Sequence, residues 1–430
     1  VAADTIFAVS SGRPPAAIAV LRISGAGAIG AATRLAGNVP RPRHAGVRAL
    51  RDPADNQLLD RALVLVFQGP MTATGEDLVE LHLHGGRAVV AGVERALSGM
   101  DGLRVAEPGE FTRRALTHGR IDLTEAEGLG DLLSAETDAQ RRMALANSDG
   151  RLRRAVADWT AIATRLSAMV EAVLDHADED DVDAGDDVLA GVRREAATLA
   201  DTIDAVLAVP PVERLRDGIR VVLAGPPNAG KSTLLNALVG RKAAIVSPLA
   251  GTTRDVIEIP VTRGGIAWLF LDTAGLRNEA IDPVERIGID RATDSIATAD
   301  IVLWLGDDAP PQAASVLALH PRSDVRGEAV PADRVAVSAE TGEGLSELWQ
   351  ALTERASTML PKVDDLALNQ RQSSHARTAA AALRRAATQL DPLLLAEELR
   401  YGVQAFAALT GMRATEAVLD DLFGRFCIGK

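Results

Sequence analysis

Residues 225–232 read Gly-Pro-Pro-Asn-Ala-Gly-Lys-Ser, a G-x-x-x-x-G-K-S pattern set between the apolar run Ile219 to Ala224 and the segment Leu234-Leu235-Asn236-Ala237-Leu238. Strand, loop and helix in that order are the context in which this pattern has a mechanism. Glycines let backbone N–H groups close around phosphates, the helix N-terminus turns its positive dipole end toward them, and Lys231 brings a cation to the β and γ phosphates. Ser232 stands where a hydroxyl can hold Mg2+, and Asn228, Ala229, Gly230 and Thr233 belong to the same phosphate-binding stretch. A merely structural glycine turn would need neither the lysine nor the flanking elements.

Downstream, Ser247-Pro248-Leu249-Ala250 leads into Gly251-Thr252-Thr253-Arg254-Asp255, where a threonine can complete a Mg2+ shell and report the γ-phosphate. Asp272-Thr273-Ala274-Gly275 ends an expected strand, Ala267 to Leu271, which pairs through a Thr262-Arg263-Gly264-Gly265 turn with Val256 to Val261. Asp272 is placed for an outer Mg2+ contact, and Gly275 can turn its N–H toward the γ-phosphate. In this order behind a phosphate loop, these segments resemble the switch-type GTPases of the Ras-like class. Such proteins read guanine with an Asn-Lys-x-Asp segment. Here the strand Val316 to Leu319 leads into His320-Pro321-Arg322-Ser323-Asp324, which keeps the cation and the carboxylate but has Pro321 where Asn is usual. Ser338-Ala339-Glu340 resembles the segment whose backbone N–H meets guanine O6. Guanine is the expected base, read by a buried Asp324 that leaves polar groups unpaired with the wrong base.

The elements that must position these residues follow from length and patterning. At 430 residues the chain is long enough for about three domains. Residues 1–118 mix short apolar runs, Ile18 to Ile23, Leu63 to Phe67 and Leu78 to His84, with turn signals, which predicts an α+β domain. Residues 119–215 change character, and Ile162, Leu166, Met169, Val170 and Val173 mark an amphipathic helix. Strands and helices alternate over 216–361, and Ala-rich helices return over 362–430. The expectation is a multidomain α/β chain in which a Ras-like P-loop domain interrupts a helical domain. Pro210-Pro211 and Pro361 mark junctions that should lie close together. A net charge of −13 argues against nucleic-acid binding through the whole surface and leaves a local basic stripe open. No apolar run reaches the length of a membrane span and no secretory signal is visible, so a cytoplasmic location is expected. The single cysteine, Cys427, cannot form an intramolecular disulfide.

Beyond the phosphate loop, Leu21-Arg22-Ile23-Ser24-Gly25, Thr74-Gly75-Glu76-Asp77, Pro108-Gly109-Glu110-Phe111-Thr112 and the terminal Phe426-Cys427-Ile428-Gly429-Lys430 resemble the MnmE (TrmE) family of bacterial tRNA-modification GTPases over essentially the whole chain. The resemblance implies an N-terminal folate-binding domain that forms a homodimer, and a heterotetramer with the FAD-dependent partner MnmG (GidA). It also implies addition of an aminomethyl or carboxymethylaminomethyl group at C5 of the wobble uridine of certain tRNAs. The carbon donor would be 5,10-methylene-tetrahydrofolate, with 5-formyl-tetrahydrofolate as a related ligand. By the same resemblance Asn228 and Thr252, with the carbonyls of Ser247 and Leu249, hold K+ beside the GTP phosphates, and Ser232 and Thr253 hold Mg2+. Glu285, in Val284-Glu285-Arg286-Ile287-Gly288, orients the attacking water, and Arg22, Glu80, Arg120 and Lys430 contact folate. Arg120 replaces a common lysine.

Several residues admit plainer readings. Glu80, His82 and His84 alternate along one strand and would suit a catalytic zinc, yet the histidines read better as pocket or core side chains bonded to backbone carbonyls. Asp178 to Asp183 lacks the glycine and spacing of a calcium loop and reads as a solvated interhelical loop. Cys427 is either a functional thiol near Lys430 on a mobile terminus or a packed small hydrophobe. Arg113/Arg114, Arg141/Arg142, Arg153/Arg154 and Arg384/Arg385 are the visible footing for tRNA. A regulatory GTPase switch without one-carbon chemistry is the alternative function, and a folate-dependent transferase with a degenerate nucleotide domain is a weaker third.

Overall fold

In the computed structural model the described residues are 4–175, 182–240, 257–272, 296–312, 315–327, 329–412 and 415–429. They form two compact units: Val1–Gly130 with Asn147–Asp158 and Phe406–Lys430, and Asp131–Ala146 with Trp159–Ala405.

The first unit is built on a six-stranded sheet in the order β3-β4-β5-β2-β1-β6, from β1 (Thr5–Val9), β2 (Ile18–Ser24), β3 (Gly46–Arg51), β4 (Leu58–Phe67), β5 (Leu78–His84) and β6 (Leu103–Val105). Alternation sets its faces. Leu21, Ile23, Val64, Val79 and Leu81 turn inward against α1 (Ala28–Ala36) and α2 (Arg87–Ser98), closing a core with Leu35, Val93 and Leu97. Arg22, Glu80 and His82 occupy the opposite face. The apolar run Leu63 to Phe67 is only the second half of β4. Its start was hidden because Asp60, buried among the core positions, is polar: its carboxylate accepts from the His84 N–H at 2.8 Å and pairs with the His84 ring at 2.7 Å.

A buried ionic knot ties α3 (Glu110–Thr117) to the sheet. Glu110 accepts from Arg104 at 2.8 Å, from Arg114 at 3.0 Å and from its own turn at Glu107 N, 2.9 Å. Burial raises the Glu110 carboxyl, but the bonds to Arg104, Glu107 N–H and Arg114 outweigh it, and the net displacement is downward from the ordinary value of 4.5. A depressed folded-state pKa contributes stability that is present above the unfolded value and lost as pH falls through the lower folded-state value. Glu110→Gln should therefore lower stability at pH 7 by about 2–3 kcal/mol, since two arginines lose their partner and Arg104 is partly solvated. In denaturant melts the difference from wild type should shrink below about pH 4. An unchanged melting midpoint at pH 7 would contradict it.

The second unit holds a sheet in the order β12-β11-β10-β7-β9-β8: β7 (Ile219–Ala224), β8 (Ile257–Arg263), β9 (Ile266–Asp272), β10 (Ile301–Trp304), β11 (Val316–Pro321) and β12 (Val335–Val337). All neighbours are parallel except β8 and β9. Gly264 and Gly265, with φ of 62° and 76°, form the hairpin turn there. Ile219, Val221 and Leu223 pack on Leu234, Leu235 and Leu238 and on an aromatic group in which Trp349 meets Trp268 and Phe270 edge-on at 5.5 and 5.8 Å. Aromatics are only 3% of the chain, and this core gathers three of them.

The helix Gln370–Thr388 lies along Val182–Leu207, its buried Ala376, Ala379, Ala380 and Ala386 permitting close approach. The two junction segments meet: Val212 N–H donates to Leu368 O at 3.2 Å, and Gln370 N–H to Glu213 Oε1 at 2.6 Å. The acidic segment Asp178 to Asp181 lies outside the described residues, as do the side chains of 182–184.

Candidate functional site

The phosphate loop joins β7 to the helix Lys231–Val239 at the C-terminal edge of the parallel sheet, where an open α/β sheet binds ligands. Gly225 opens the loop with φ of 148°, and a Cβ there would stand 3.1 Å from Leu305 Cβ. Gly230 caps the helix at φ of 93°, and a Cβ there would stand 3.9 Å from Arg322 Nε. Asn228 adopts the left-handed conformation, φ of 61°, without being glycine. Lys231 Nζ donates to the carbonyls of Gly225 and Pro226, each at 2.8 Å, which holds the ammonium over the loop. Ser232 and Thr233 are exposed on the first turn. Leu223 pairs with Asp272 in the β7–β9 register, so the backbone of Asp272 ends its strand beside the start of the loop.

Two other segments leave the same edge. β11 and β12 are parallel neighbours with Pro321 opposite Val337, so 322–324 and 338–340 emerge together. Arg322, in the left-handed region at φ of 59°, donates from its guanidinium to the carbonyl of Asn228, which bonds the base-recognition segment to the phosphate loop. Asp324 is exposed on the short helix Ser323–Arg326, which corrects the expectation of a buried carboxylate: with Pro321 in place of Asn, no amide is there to fold the loop inward. Ser338 is fully buried, its N–H donates to Glu343 O at 2.9 Å and its Oγ accepts from Thr341 N–H at 3.2 Å. Its N–H is therefore engaged internally, while Ala339 is half-buried and Glu340 exposed. Ser247, Pro248, Leu249, Ala250, Gly251, Thr252, Thr253, Thr273, Ala274, Gly275 and Glu285 lie outside the described residues.

In the first unit, Arg22 faces Glu80 across the β2–β5 register and donates to Glu80 Oε1 at 2.8 Å, while the other oxygen meets His82 Nε2 at 3.3 Å. The structure thus corrects the reading of the histidines: both bond carboxylates, His82 to Glu80 and His84 to Asp60, rather than backbone carbonyls. Among the described residues no three His, Cys, Asp or Glu side chains gather as a metal site. Arg120 donates to Thr72 O at 3.1 Å, on the loop that precedes β5.

The C-terminal tail is anchored, not mobile, as far as residue 429. Ile428 bridges to Pro108, Ser10 Oγ donates to Gly429 O at 2.8 Å, and a Cβ on Gly429 would fall 2.3 Å from Val9 O. Cys427 is exposed, which removes the packed-hydrophobe reading. Val9 lies beside Leu21 and Ser10 bonds Val20, so the tail docks one strand away from Arg22. Lys430 itself lies outside the described residues. Sequence reasoning did not find Ser10, because a lone serine in a polar turn carries no signal until its partner 419 residues away is known.

Residues 5–120 match the family described as GTP-binding protein TrmE N-terminus, and residues 123–427 match the MnmE helical domain. The chain belongs to the MnmE family of tRNA modification GTPases. It is 53% identical to the tRNA modification GTPase MnmE of Erythrobacter litoralis over 99% of this chain and 100% of that one. It is 54% identical to the protein of the same description from Rhizorhabdus wittichii, over 100% of this chain and 97% of that one. The G domain of the T. maritima FeoB iron transporter is 26% identical and covers 32% of this chain and 98% of that chain, with a TM-score of 0.25 that bears on nothing further. Like the family, the chain is a GTP hydrolase of tRNA modification, and its phosphate loop is intact. No helix among the described residues is long and apolar enough to cross a membrane.

Proposed function

We propose that the chain is the K+-dependent GTPase subunit of a complex that adds an aminomethyl or carboxymethylaminomethyl group at C5 of the wobble uridine of certain tRNAs. The observation that carries the reading is the phosphate loop in working geometry, on a chain that matches tRNA modification GTPases along its whole length. In this reading it acts in the cytoplasm as a homodimer, joined by the FAD-dependent MnmG, and tetrahydrofolate supplies the one-carbon unit.

The nucleotide part rests on few groups. Loop amides and Lys231 receive the phosphates of GTP. Lys231 already sits over the loop, so its charge is preorganised and the transition state needs little rearrangement. Ser232 and Thr253 would hold Mg2+, which spreads charge from the β and γ phosphates, with Asp272 next to the loop. Asn228, Ser247, Leu249 and Thr252 would hold K+. Asn228 fits that role, since it is exposed on the loop and Arg322 fixes its carbonyl. Glu285 orients water for attack. Guanine would be met by Asp324 and the Ala339 amide.

For folate, the donor set fits. Glu80 would present a carboxylate to the N–H edge of a pterin, Arg22 and His82 hold that carboxylate in place, and by the family resemblance Arg120 and Lys430 would supply cations. Exposed Cys427 on the docked tail would serve as the functional thiol.

The ion tests the nucleotide half. Replacing K+ by Na+ at constant ionic strength should lower GTP turnover about 10-fold or more, because an ion at the phosphates offsets developing charge. Equal rates in the two salts would remove K+ from the account.

A further inference from the structure

Of the eight arginines in the four pairs that the sequence offered as footing for tRNA, seven face carboxylates. Arg113 pairs with Glu416 and Asp420, Arg114 with Asp4, Glu76 and Glu110, and both Arg141 and Arg142 with Asp138. Arg153 pairs with Glu125, Arg154 donates to the carbonyl of Asp149, Arg384 pairs with Asp201 and Asp204, and Arg385 with Glu398. A guanidinium already facing a carboxylate has little charge left for a phosphate.

The edge of the first sheet is different. Between residues 5 and 75 the chain carries eight arginines and three aspartates, although its net charge is −13. Those aspartates are bonded within the fold: Asp52 and Asp55 accept backbone N–H groups of the β3–β4 turn at 2.9 Å each, which fixes them there without neutralising them, and buried Asp60 holds His84. Six basic side chains follow the edge strand and its neighbour. Arg41, Arg43, His44, Arg51 and Arg61 are exposed and Arg48 is half-buried.

Among the described residues none of the six pairs with a carboxylate. Arg43 donates to Met71 O and lies over the Phe67 ring, His44 bonds Pro42 O, Arg48 donates to Asn38 O and Val47 O, and Arg51 donates to Asn56 O. Backbone carbonyls fix these side chains without neutralising them. Edge strands do carry charge as a guard against pairing with other strands, but that purpose is served by either sign and by one or two residues. Here every charged side chain from Arg41 to Arg51 is basic, with β3 itself running about 17 Å from Gly46 to Arg51, and the carboxylates of Asp52 and Asp55 follow in the turn beyond.

We propose that this β3 edge, Arg41 to Arg61, is a surface for the phosphate backbone of tRNA. It rests on the tRNA-modification reading and adds the place of contact. Guanidiniums held by carbonyls keep their outer N–H groups for phosphate oxygens, and their spread from the turn before β3 through Arg48 and Arg51 to Arg61 on β4 suits a line of phosphates rather than a single anion.

The test measures binding of labelled tRNA to the full-length protein over a series of salt concentrations. Arg41→Glu with Arg51→Glu should weaken binding at least 10-fold and lower the slope of log affinity against log salt by about 2, one for each lost phosphate contact. Arg141→Ala with Arg142→Ala should do neither. An equal melting midpoint shows that the first variant folds, and Arg41→Lys with Arg51→Lys should restore most of the affinity. Unchanged affinity and slope in the Glu variant, with wild type binding normally, would overturn this surface alone. A change only in sedimentation mass would assign the edge to a second copy of the chain and also overturn it. No binding by wild type would instead strike at the tRNA reading beneath it.

Discussion

Lys231→Ala should lower GTP turnover about 1,000-fold. In the structure the ammonium is not a free surface charge: two carbonyls 2.8 Å away hold it over the phosphate loop, between Gly225, whose φ of 148° opens the turn, and Gly230, which starts the helix. A preorganised donor aimed at developing charge contributes about 3–4 kcal/mol to a transition state. Among the described residues, the guanidinium of Arg322 also reaches the loop, and it is tied to Asn228 O. Single-turnover hydrolysis at saturating GTP separates the chemical step from binding, and a rate within 10-fold of wild type would remove Lys231 from the reaction.

The second large effect concerns the base. Asp324→Asn should exchange GTP for XTP, because a carboxylate proposed to accept from guanine N1 and N2 becomes an amide that suits the oxygen at position 2 of xanthine. A buried carboxylate would predict discrimination of several kcal/mol. Asp324 is exposed, so the solvated pair is weaker and the expected change is about 1–3 kcal/mol, roughly 5- to 150-fold in the ratio of the two affinities. Competition between GTP and XTP for a fluorescent analogue reads that ratio directly. If wild type binds GTP and ATP equally, the guanine assignment fails before the variant is made.

The nucleotide unit was the more legible part in the sequence. β7, Ile219–Ala224, was readable to the residue because a fully buried parallel strand is a continuous apolar run bounded by glycine. β5 was equally plain, since its alternation of Leu78-Val79 with Glu80, His82 and His84 reports one wet face. What escaped depends on partners distant in sequence. β4 begins at Leu58 rather than Leu63, because Asp60 is tolerated inside only through its bonds to His84, 24 residues away. The tail looked mobile, and Ser10 and Pro108 dock it. Arginine doublets looked like phosphate contacts, while the arginines of 41–61, none paired with a carboxylate among the described residues, are spread singly where no local pattern marks them. Burial of Asp324 was assumed from its motif, and the missing amide at Pro321 was the signal that the motif is incomplete.

Modified nucleosides measured by mass spectrometry test the central claim most directly. In tRNA from a strain lacking this gene, wobble uridines should lack the aminomethyl and carboxymethylaminomethyl groups at C5; wild-type protein should restore them and Lys231→Ala should not. Unaltered wobble uridines in the deletion strain, or full restoration by Lys231→Ala, would contradict a GTPase that drives this modification.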